Sequence, residues 1–204
     1  MRDSKAHWDN IYKDKSFTDL SWYQLRPNIS LDLINRAHVP LDESIIDVGG
    51  GLSSLVEYLS EAGYRKLAVL DISSNAIASL QHRLGEKALQ IEWFAMDVKD
   101  FRSEHTVALW HDRAVFHFLT DKADREKYIK VLHRTLSENG YLIIATFSLD
   151  GPRQCSGLDI VQYDAAKLQA ELGDSFEMVE QQAELHITPS DAQQKFNYFL
   201  FKKR

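Results

Sequence analysis

The sequence predicts a doubly wound α/β sheet that ends in an antiparallel hairpin, and three observations predict it. Short β-rich runs alternate with amphipathic stretches from residue 44 onward. Several of the runs are apolar at consecutive positions, which is typical of parallel strands covered by helices on both faces. The last two runs are joined by a connection too short to hold a crossover helix, so they must pair in antiparallel fashion.

The first half of the predicted sheet contains three strands, and glycine and serine mark the ends of its helices. Its elements are a strand at Ser44–Val48, a helix over about 55–59 closed by Gly63, a strand at Lys66–Asp71, a helix capped by Ser73 or Ser74 and closed by Gly85, and a strand at Leu89–Phe94. Repeated βα units of this kind indicate right-handed crossovers.

The second half adds four strands. They are Thr106–Trp110, Tyr141–Phe147, Phe176–Leu185 and Gln194–Phe201. A helix over about Lys122–Leu136, capped by Asp121 and ended by Asn139-Gly140, precedes the second of them, and a short helix near 164–172 precedes the third. The complete prediction is a Rossmann-like, seven-stranded, mostly parallel sheet with helices on both faces and a C-terminal antiparallel hairpin. With 204 residues, the chain fits one compact domain, in which residues 1–40 form an N-terminal lid or helical extension.

Composition narrows the classes of partner. The formal net charge is −6, which disfavours a nucleic acid as the main partner because polyanion binding depends on clustered cations. No apolar run approaches the ~20 residues of a membrane span, and the N-terminus lacks a signal-peptide pattern. The single cysteine, Cys155, excludes an internal disulfide and fits a reducing compartment. We therefore expect a cytoplasmic protein, either a monomer or a dimer, that binds no membrane.

A ligand site is predicted where three strands end in aspartate. Asp47 precedes the glycine loop Gly49-Gly50-Gly51, Asp71 closes the second strand, and Asp97-Val98 follows the third. The carboxyl ends of parallel strands meet at the crevice where open α/β sheets bind ligands. A carboxylate beside the glycine loop suits an ammonium group. The carboxylate of Asp71 can accept from two ribose hydroxyls. Asp97, together with a neighbouring main-chain N–H, can bind adenine.

At these residues the chain resembles the class I S-adenosylmethionine-dependent methyltransferases. More narrowly, it resembles the branch that contains the lysine methyltransferases of translation elongation factor and mitochondrial citrate synthase. The residues that carry the resemblance are His7-Trp8-Asp9 with Tyr12, Ser21-Trp22-Tyr23, Gly49-Gly50-Gly51-Leu52-Ser53, Leu70-Asp71-Ile72-Ser73 and Asp97-Val98. The resemblance implies S-adenosylmethionine as cofactor, S-adenosylhomocysteine as product, and a methyltransferase domain over residues 41–204.

The resemblance also implies roles for residues outside the aspartates. Trp8, Tyr12 and Trp22 are expected in a lid over the methionine end of the cofactor, and Ile72 beside its nucleoside. After the fourth strand the branch carries an acid, a lysine, then glycine and threonine, whereas this chain has His111-Asp112-Arg113-Ala114-Val115. Arg113 therefore replaces the lysine and is expected to line the cofactor site.

Methyl transfer needs alignment of the acceptor and exclusion of water, and a general base only if the acceptor arrives protonated. His111 is the candidate base, because the fourth strand ends beside the transferred methyl group in this architecture. The alternative role for His111 is to pack against the cofactor or to hydrogen-bond the protein. The spacing of His111, Asp112 and His117 matches no common metal site, so no metal is expected. Topology also places Tyr163, His186 and Thr188 near the rim where a substrate would enter.

Three functions remain open at this stage. The first is a methyltransferase that acts on a small molecule or on a protein side chain, lysine among them. The second is an NAD(P)-dependent Rossmann oxidoreductase, which Asp47 and Ser54 disfavour because Ser54 stands where the dinucleotide pattern places glycine. The third is a catalytically silent S-adenosylmethionine-binding module.

Overall fold

A computed structural model describes residues 4–14 and 17–204 of the chain. Residues 1–3, 15 and 16 of the predicted N-terminal extension therefore lie outside the described part. The helices are α1 Ser4–Asp14, α2 Asn28–Arg36, α3 Leu55–Glu61, α4 Ser74–Leu84, α5 Lys122–Thr135 and α6 Ala165–Leu172. The strands are β1 Ser44–Val48, β2 Lys66–Asp71, β3 Ile91–Ala95, β4 Val107–Arg113, β5 Leu136–Phe147, β6 Gln154–Cys155, β7 Leu158–Asp159, β8 Phe176–Ile187 and β9 Gln193–Lys203.

The described chain forms one seven-stranded sheet in the order β3-β2-β1-β4-β5-β9-β8. Strands β1 to β5 pair in parallel, whereas β9 pairs with β5 and with β8 in antiparallel fashion. The strand order reverses between β1 and β4, and open sheets of this kind bind ligands at such a switch point. The predicted fold class and the C-terminal hairpin are confirmed.

Both faces of the sheet are covered by helices, as the consecutive apolar residues in the strands predicted. Ile45 and Ile143 pack in a core with α2, α3 and α4. The next residues along the same strands, Ile46 and Ile144, pack in a second core with α5 and α6. Leu33 of α2 is fully buried in the first core, so this part of the N-terminal region packs directly on the sheet.

Several strands differ from the predicted bounds, the third and fourth among them. The third begins at Ile91 rather than Leu89, because residues 85–90 form a 3-10 helix whose Ala88 carbonyl accepts from the indole of Trp93 at 3.0 Å. The fourth continues from Trp110 to Arg113, because its parallel pairing with β5 extends that far. The polar run that was expected to follow the strand is therefore part of it.

Two further differences lie near β5. That strand begins at Leu136, where the helix α5 was expected to end, and it contains Asn139 at φ +61. A short hairpin of β6 and β7 was not predicted. Its turn residues, Ser156 and Gly157, both have positive φ, which is typical of tight two-residue hairpin turns. None of the helices in the described ranges is long and apolar enough to span a membrane.

Candidate functional site

Two adjoining cavities lie where β1, β2 and β4 end. The larger has an empty volume of about 1110 Å³, part of it open to solvent, and the smaller has about 550 Å³. Trp22, Val48, Gly49 and Arg113 line both of them. Because they share these four residues, the cavities adjoin at the sheet edge where open α/β sheets bind ligands.

The glycine loop forms the floor between the cavities in a conformation that requires glycine. Gly49 has φ +68, and a Cβ at this position would overlap the side chain of Val115. Gly51 has φ +27, and a Cβ there would lie 2.8 Å from Asp71 Oδ2 and 2.9 Å from the Tyr12 hydroxyl oxygen. Only glycine allows the backbone to approach these groups so closely.

The buried carboxylate of Asp71 lines the larger cavity at the end of β2. Its Oδ1 accepts a hydrogen bond from the Ser73 N–H at 2.8 Å. Burial raises the pKa of Asp71 to about 7, although hydrogen bonds from the backbone of Ser73 and Gly51 act in the opposite direction. A carboxylate that is held in place and poorly solvated fits two neighbouring hydroxyl donors, which would supply the hydrogen bonds that burial removes.

Asp97 and Val98 line the same cavity beyond the end of β3. The Asp97 carboxylate caps the 3-10 helix Val98–Asp100, because its Oδ1 accepts from the Lys99 N–H at 2.9 Å. The ammonium of Lys99 lies 2.7 Å from Asp124 and 3.5 Å from Asp97. Asp97 is thereby fixed beside the cavity, next to the main-chain N–H that was predicted to bind adenine.

Asp47, His111 and Ser30 form a chain of hydrogen bonds that lines the smaller cavity. His111 Nδ1 lies 2.7 Å from Asp47 Oδ1, and His111 Nε2 lies 2.9 Å from the Ser30 hydroxyl. The other oxygen of Asp47, Oδ2, is buried and has no hydrogen-bond partner in the described part of the chain. A Cβ at Gly50 would come within 2.8 Å of this oxygen. An unpaired buried carboxylate oxygen suits a cationic ligand group.

The aromatic residues of the N-terminal region close one side of the larger cavity. Trp8, Tyr12 and Trp22 all line it, and the Trp8 ring packs edge-on against Trp22 and Phe118 at centroid distances of 5.7 and 5.1 Å. Burial, with a further contribution from Asp71, raises the pKa of Tyr12 well above its usual range. These contacts place the three aromatic residues where a lid would be.

Helix α1, which carries Trp8 and Tyr12, is attached to the start of α4. The Ser73 hydroxyl donates to Asp9 Oδ1 at 2.6 Å, and the side-chain amide of Asn75 donates to the Asp9 carbonyl at 3.1 Å. Lys5 also donates to the hydroxyl of Ser74 at 3.2 Å. Helix α1 is therefore held directly beside Asp71.

Arg113 is held by groups from three parts of the chain. Its Nε donates to the Tyr198 hydroxyl at 2.7 Å, and its Nη1 donates to the Trp22 carbonyl at 3.1 Å. The guanidinium lies over the Phe196 ring, 4.5 Å from its centroid. Glu184 accepts from Tyr198 at 2.8 Å and completes the network. Arg113 thus ties the segment that carries Trp22 to the C-terminal hairpin.

Nine of the thirteen predicted cofactor residues line the larger cavity. They are Trp8, Tyr12, Trp22, Gly49, Asp71, Ile72, Asp97, Val98 and Arg113. Asp47 and His111 line the smaller one, and Gly50 and Gly51 line neither but form the turn beneath. Asp112 is buried beside the site and accepts from the N–H groups of Val115 and Phe116.

The substrate-rim residues expected from topology line neither cavity. Tyr163 is buried, and His186 Nε2 lies 2.8 Å from the Ser21 carbonyl. Instead, the wall opposite the aspartates contains residues that the sequence did not single out for this position. They are Cys155, Leu158, Gln194 and Phe196, from the short hairpin β6–β7 and from β9. No motif marks them, because the hairpin and its place over the cavity are set by tertiary packing.

Comparisons with known proteins identify the domain. The model of the methyltransferase domain matches residues 45–140. EEF1A lysine methyltransferase 2 of Homo sapiens is 24% identical over 160 residues, which cover 70% of this chain and 67% of the relative. The eEF1A lysine and N-terminal methyltransferase of Mus musculus is 23% identical over 142 residues, covering 69% of this chain but only 20% of that protein. The chain therefore spans about two thirds of the first relative and a fifth of the second.

Solved structures agree with the fold. The N-methyltransferase NodS from Bradyrhizobium japonicum WM9, in complex with S-adenosyl-L-homocysteine, superposes with a TM-score of 0.69 at 16% identity, covering 96% of this chain and 97% of that one. The groups around the cavities also fit the cofactor: an unpaired Asp47 oxygen for an ammonium, Asp71 for hydroxyls, and a glycine turn that leaves room. Residues 45–140 are therefore a methyltransferase domain, and the chain, with S-adenosylmethionine as its cofactor and S-adenosylhomocysteine as the product, resembles the elongation-factor lysine methyltransferase branch.

Proposed function

We propose that the chain transfers a methyl group to an acceptor, either a small molecule or a protein side chain, bound against the wall formed by Arg113, Cys155, Leu158, Gln194 and Phe196, here named the acceptor wall. The observation that carries the proposal is the extent of the larger cavity, which reaches from Asp71 and Asp97 to this wall. At the end lined by Asp71 and Asp97, the carboxylates can bind the ribose and the adenine of a nucleoside. The opposite end, which is largely apolar, leaves room for a second molecule and excludes water from it.

The residues proposed to hold the cofactor divide by its parts. Asp47 Oδ2 takes the ammonium of the methionine moiety, Asp71 takes the ribose hydroxyls, and Asp97 with Val98 takes the adenine. Ile72 packs beside the nucleoside, while Trp8, Tyr12 and Trp22 cover the methionine end. When bound, S-adenosylmethionine supplies an electrophilic methyl group that passes to a lone pair of the acceptor, while the sulfur keeps the electron pair of the broken bond.

We propose that His111 is a positioning residue rather than the general base. Both of its ring nitrogens are already engaged, one by Asp47 and one by Ser30, and the imidazole lines the smaller cavity only. A base must lie within hydrogen-bond reach of the acceptor's proton. His111 instead fixes the direction in which Asp47 presents its free oxygen.

A protein lysine is the second candidate acceptor, because the two relatives described above are lysine methyltransferases of elongation factor. A cytoplasmic location and the absence of a nucleic-acid partner remain predictions from the composition. A silent cofactor-binding module remains the alternative to catalysis.

The test is transfer of a labelled methyl group from S-adenosylmethionine in a cell extract, separated into protein and small-molecule fractions. The proposal expects label in at least one fraction, and expects the Asp71→Ala variant to lower it. Cofactor binding without label in either fraction would leave a silent module and refute the proposal.

A further inference from the structure

The charges that line the larger cavity are distributed unequally between its two ends. The carboxylates are those of Asp71, Asp97 and Asp124, which follow β2 and β3 or lie on α5. Asp124 and Asp97 are both in contact with Lys99. On the acceptor wall the only charged side chain among the described residues is Arg113. A protonated amine bound there would face a cation and find no carboxylate among the lining groups.

The guanidinium of Arg113 has a hydrogen-bond donor to spare. The side chain is 10% exposed, and two of its nitrogens already donate to Tyr198 and Trp22. Its third nitrogen, Nη2, is buried and has no hydrogen-bond partner within residues 4–14 and 17–204. Nη2 forms an ion pair with Glu184 Oε2 at 3.6 Å, which is too long for a hydrogen bond, and this oxygen already accepts from Tyr198.

A second unsatisfied polar atom lies on the same wall. Gln194 lines the cavity, and its Oε1 is buried without a hydrogen-bond partner among the described residues. A buried polar group without a partner costs ~1–3 kcal/mol, so two of them on one cavity wall indicate a missing ligand. The neighbouring side chains, Phe196, Leu158 and Cys155, present apolar surface.

We propose that the acceptor is a small molecule that carries a carboxylate or similar anionic group beside an apolar or aromatic body. The anionic oxygens bind Arg113 and the amide of Gln194, and the body packs on Phe196 and Leu158. This inference rests on the proposed function, since it assigns the substrate class of the same site. It favours an anionic metabolite over a protonated lysine.

The test measures binding to the protein loaded with S-adenosylhomocysteine, so that no turnover is required. The probes are a matched pair, para-hydroxybenzoate and para-hydroxybenzyl alcohol, which differ in the carboxylate. Titration calorimetry is expected to show the carboxylate binding roughly tenfold to hundredfold more tightly, the range of one charge-assisted hydrogen bond. Equal affinity, tighter binding of the alcohol, or binding of neither compound would overturn the inference.

An isosteric pair of variants locates the site. Gln194→Glu places a negative charge on the acceptor wall and should reduce affinity for the carboxylate probe roughly tenfold or more. The Gln193→Glu variant adds the same charge at the neighbouring exposed residue and should change nothing. Both variants should bind S-adenosylhomocysteine as the original chain does. Unchanged carboxylate affinity in Gln194→Glu would contradict the assignment.

The labelled extract separates this inference from the function on which it rests. Label in protein or in cationic metabolites, but not in anions, would overturn the inference and leave methyl transfer in place. Label retained with the anionic metabolites supports both. Tight carboxylate binding without label in any fraction would refute the proposed methyl transfer and support the subsite.

Discussion

The carboxylate of Asp47 is oriented by the imidazole of His111, with 2.7 Å between Oδ1 and Nδ1. Both residues are buried, and the other imidazole nitrogen lies 2.9 Å from the hydroxyl of Ser30. With Nδ1 donating to the carboxylate, Nε2 of a neutral imidazole accepts from the serine. The three groups join β1, β4 and α2 beside the smaller cavity, and Asp47 Oδ2 has no hydrogen-bond partner among the described residues.

The first prediction concerns His111. Replacing it with alanine removes the partner of a buried carboxylate, which should weaken S-adenosylmethionine binding by about 1–3 kcal/mol. The His111→Asn variant keeps a donor near the Nδ1 position and should restore much of this affinity. Calorimetry provides the affinity, and the KM for S-adenosylmethionine should change more than kcat.

A general base would behave differently. In that case His111→Ala would lower kcat strongly at unchanged cofactor affinity. Ser30→Ala serves as the matched control, because it removes only the second contact of the imidazole and should have a smaller effect on affinity.

The second prediction concerns the glycine turn. Gly49→Val should abolish cofactor binding with little loss of helix or strand content, because the new side chain would overlap Val115. Gly85→Ala is the matched control: its φ is also positive, at +58, but an added Cβ meets nothing within 4 Å. Circular dichroism measures the helix and strand content of both variants, and calorimetry measures their affinity for the cofactor. Normal cofactor binding by Gly49→Val would show that the glycine turn does not contact the cofactor.

The third prediction concerns pH. The pKa of Asp71 rises from 3.8 to about 7 on folding because of burial. Between these values the folded state holds a proton that the unfolded chain has lost, so stability falls as pH rises through this range. Asp71→Asn cannot titrate. Without cofactor, the Tm of this variant relative to the original chain should therefore rise as the pH is raised from about 4 to about 7.

Thermal unfolding across that range measures the difference, expected at a few degrees since 1 kcal/mol shifts Tm by roughly 2–4 °C in a domain of this size. Asp112, whose pKa burial raises to about 6, contributes in both proteins and cancels in the comparison. A Tm difference that does not vary with pH would show that Asp71 is not a buried titrating group.

The fourth prediction concerns the attachment of the lid. Asp9→Ala removes the acceptor for the Ser73 hydroxyl and should loosen α1 from α4. We expect weaker binding of S-adenosylmethionine and faster proteolysis of the N-terminal segment, with little change in Tm. Asp32→Ala is a suitable control, because Asp32 contacts Arg36 and Gln182 and lies outside both cavities. Cofactor affinity unchanged in Asp9→Ala would show that the lid closes without this contact.

Much of the fold could be predicted because the signals are local. β1 and β2 have the predicted bounds, since each apolar run ends in a polar residue or a glycine turn. Ser73 caps α4 and Asp121 caps α5, as side-chain capping predicts. Strand β4 was predicted too short, because the polar residues His111-Asp112-Arg113 read as a loop although pairing and burial keep them in the sheet.

The acceptor wall could not be predicted in the same way. Cys155 and Gln194 are far apart in the sequence and are brought together by the β6–β7 hairpin and by the pairing of β5 with β9. Ser30 and His111 are 81 residues apart in the sequence, and the packing of α2 on the sheet brings them together. Tertiary contacts of this length leave no periodic pattern, whereas aspartates at strand ends are visible from the sequence.

The most direct test of the site is a calorimetric titration of S-adenosylmethionine into the original chain and into Asp71→Ala, with NADH as the competing ligand. Binding of S-adenosylmethionine, no binding of NADH, and a loss of about 1–3 kcal/mol in Asp71→Ala are the expected results. Tight NADH binding without S-adenosylmethionine binding, or equal affinity of both proteins for S-adenosylmethionine, would contradict the assignment of this cavity as the cofactor site.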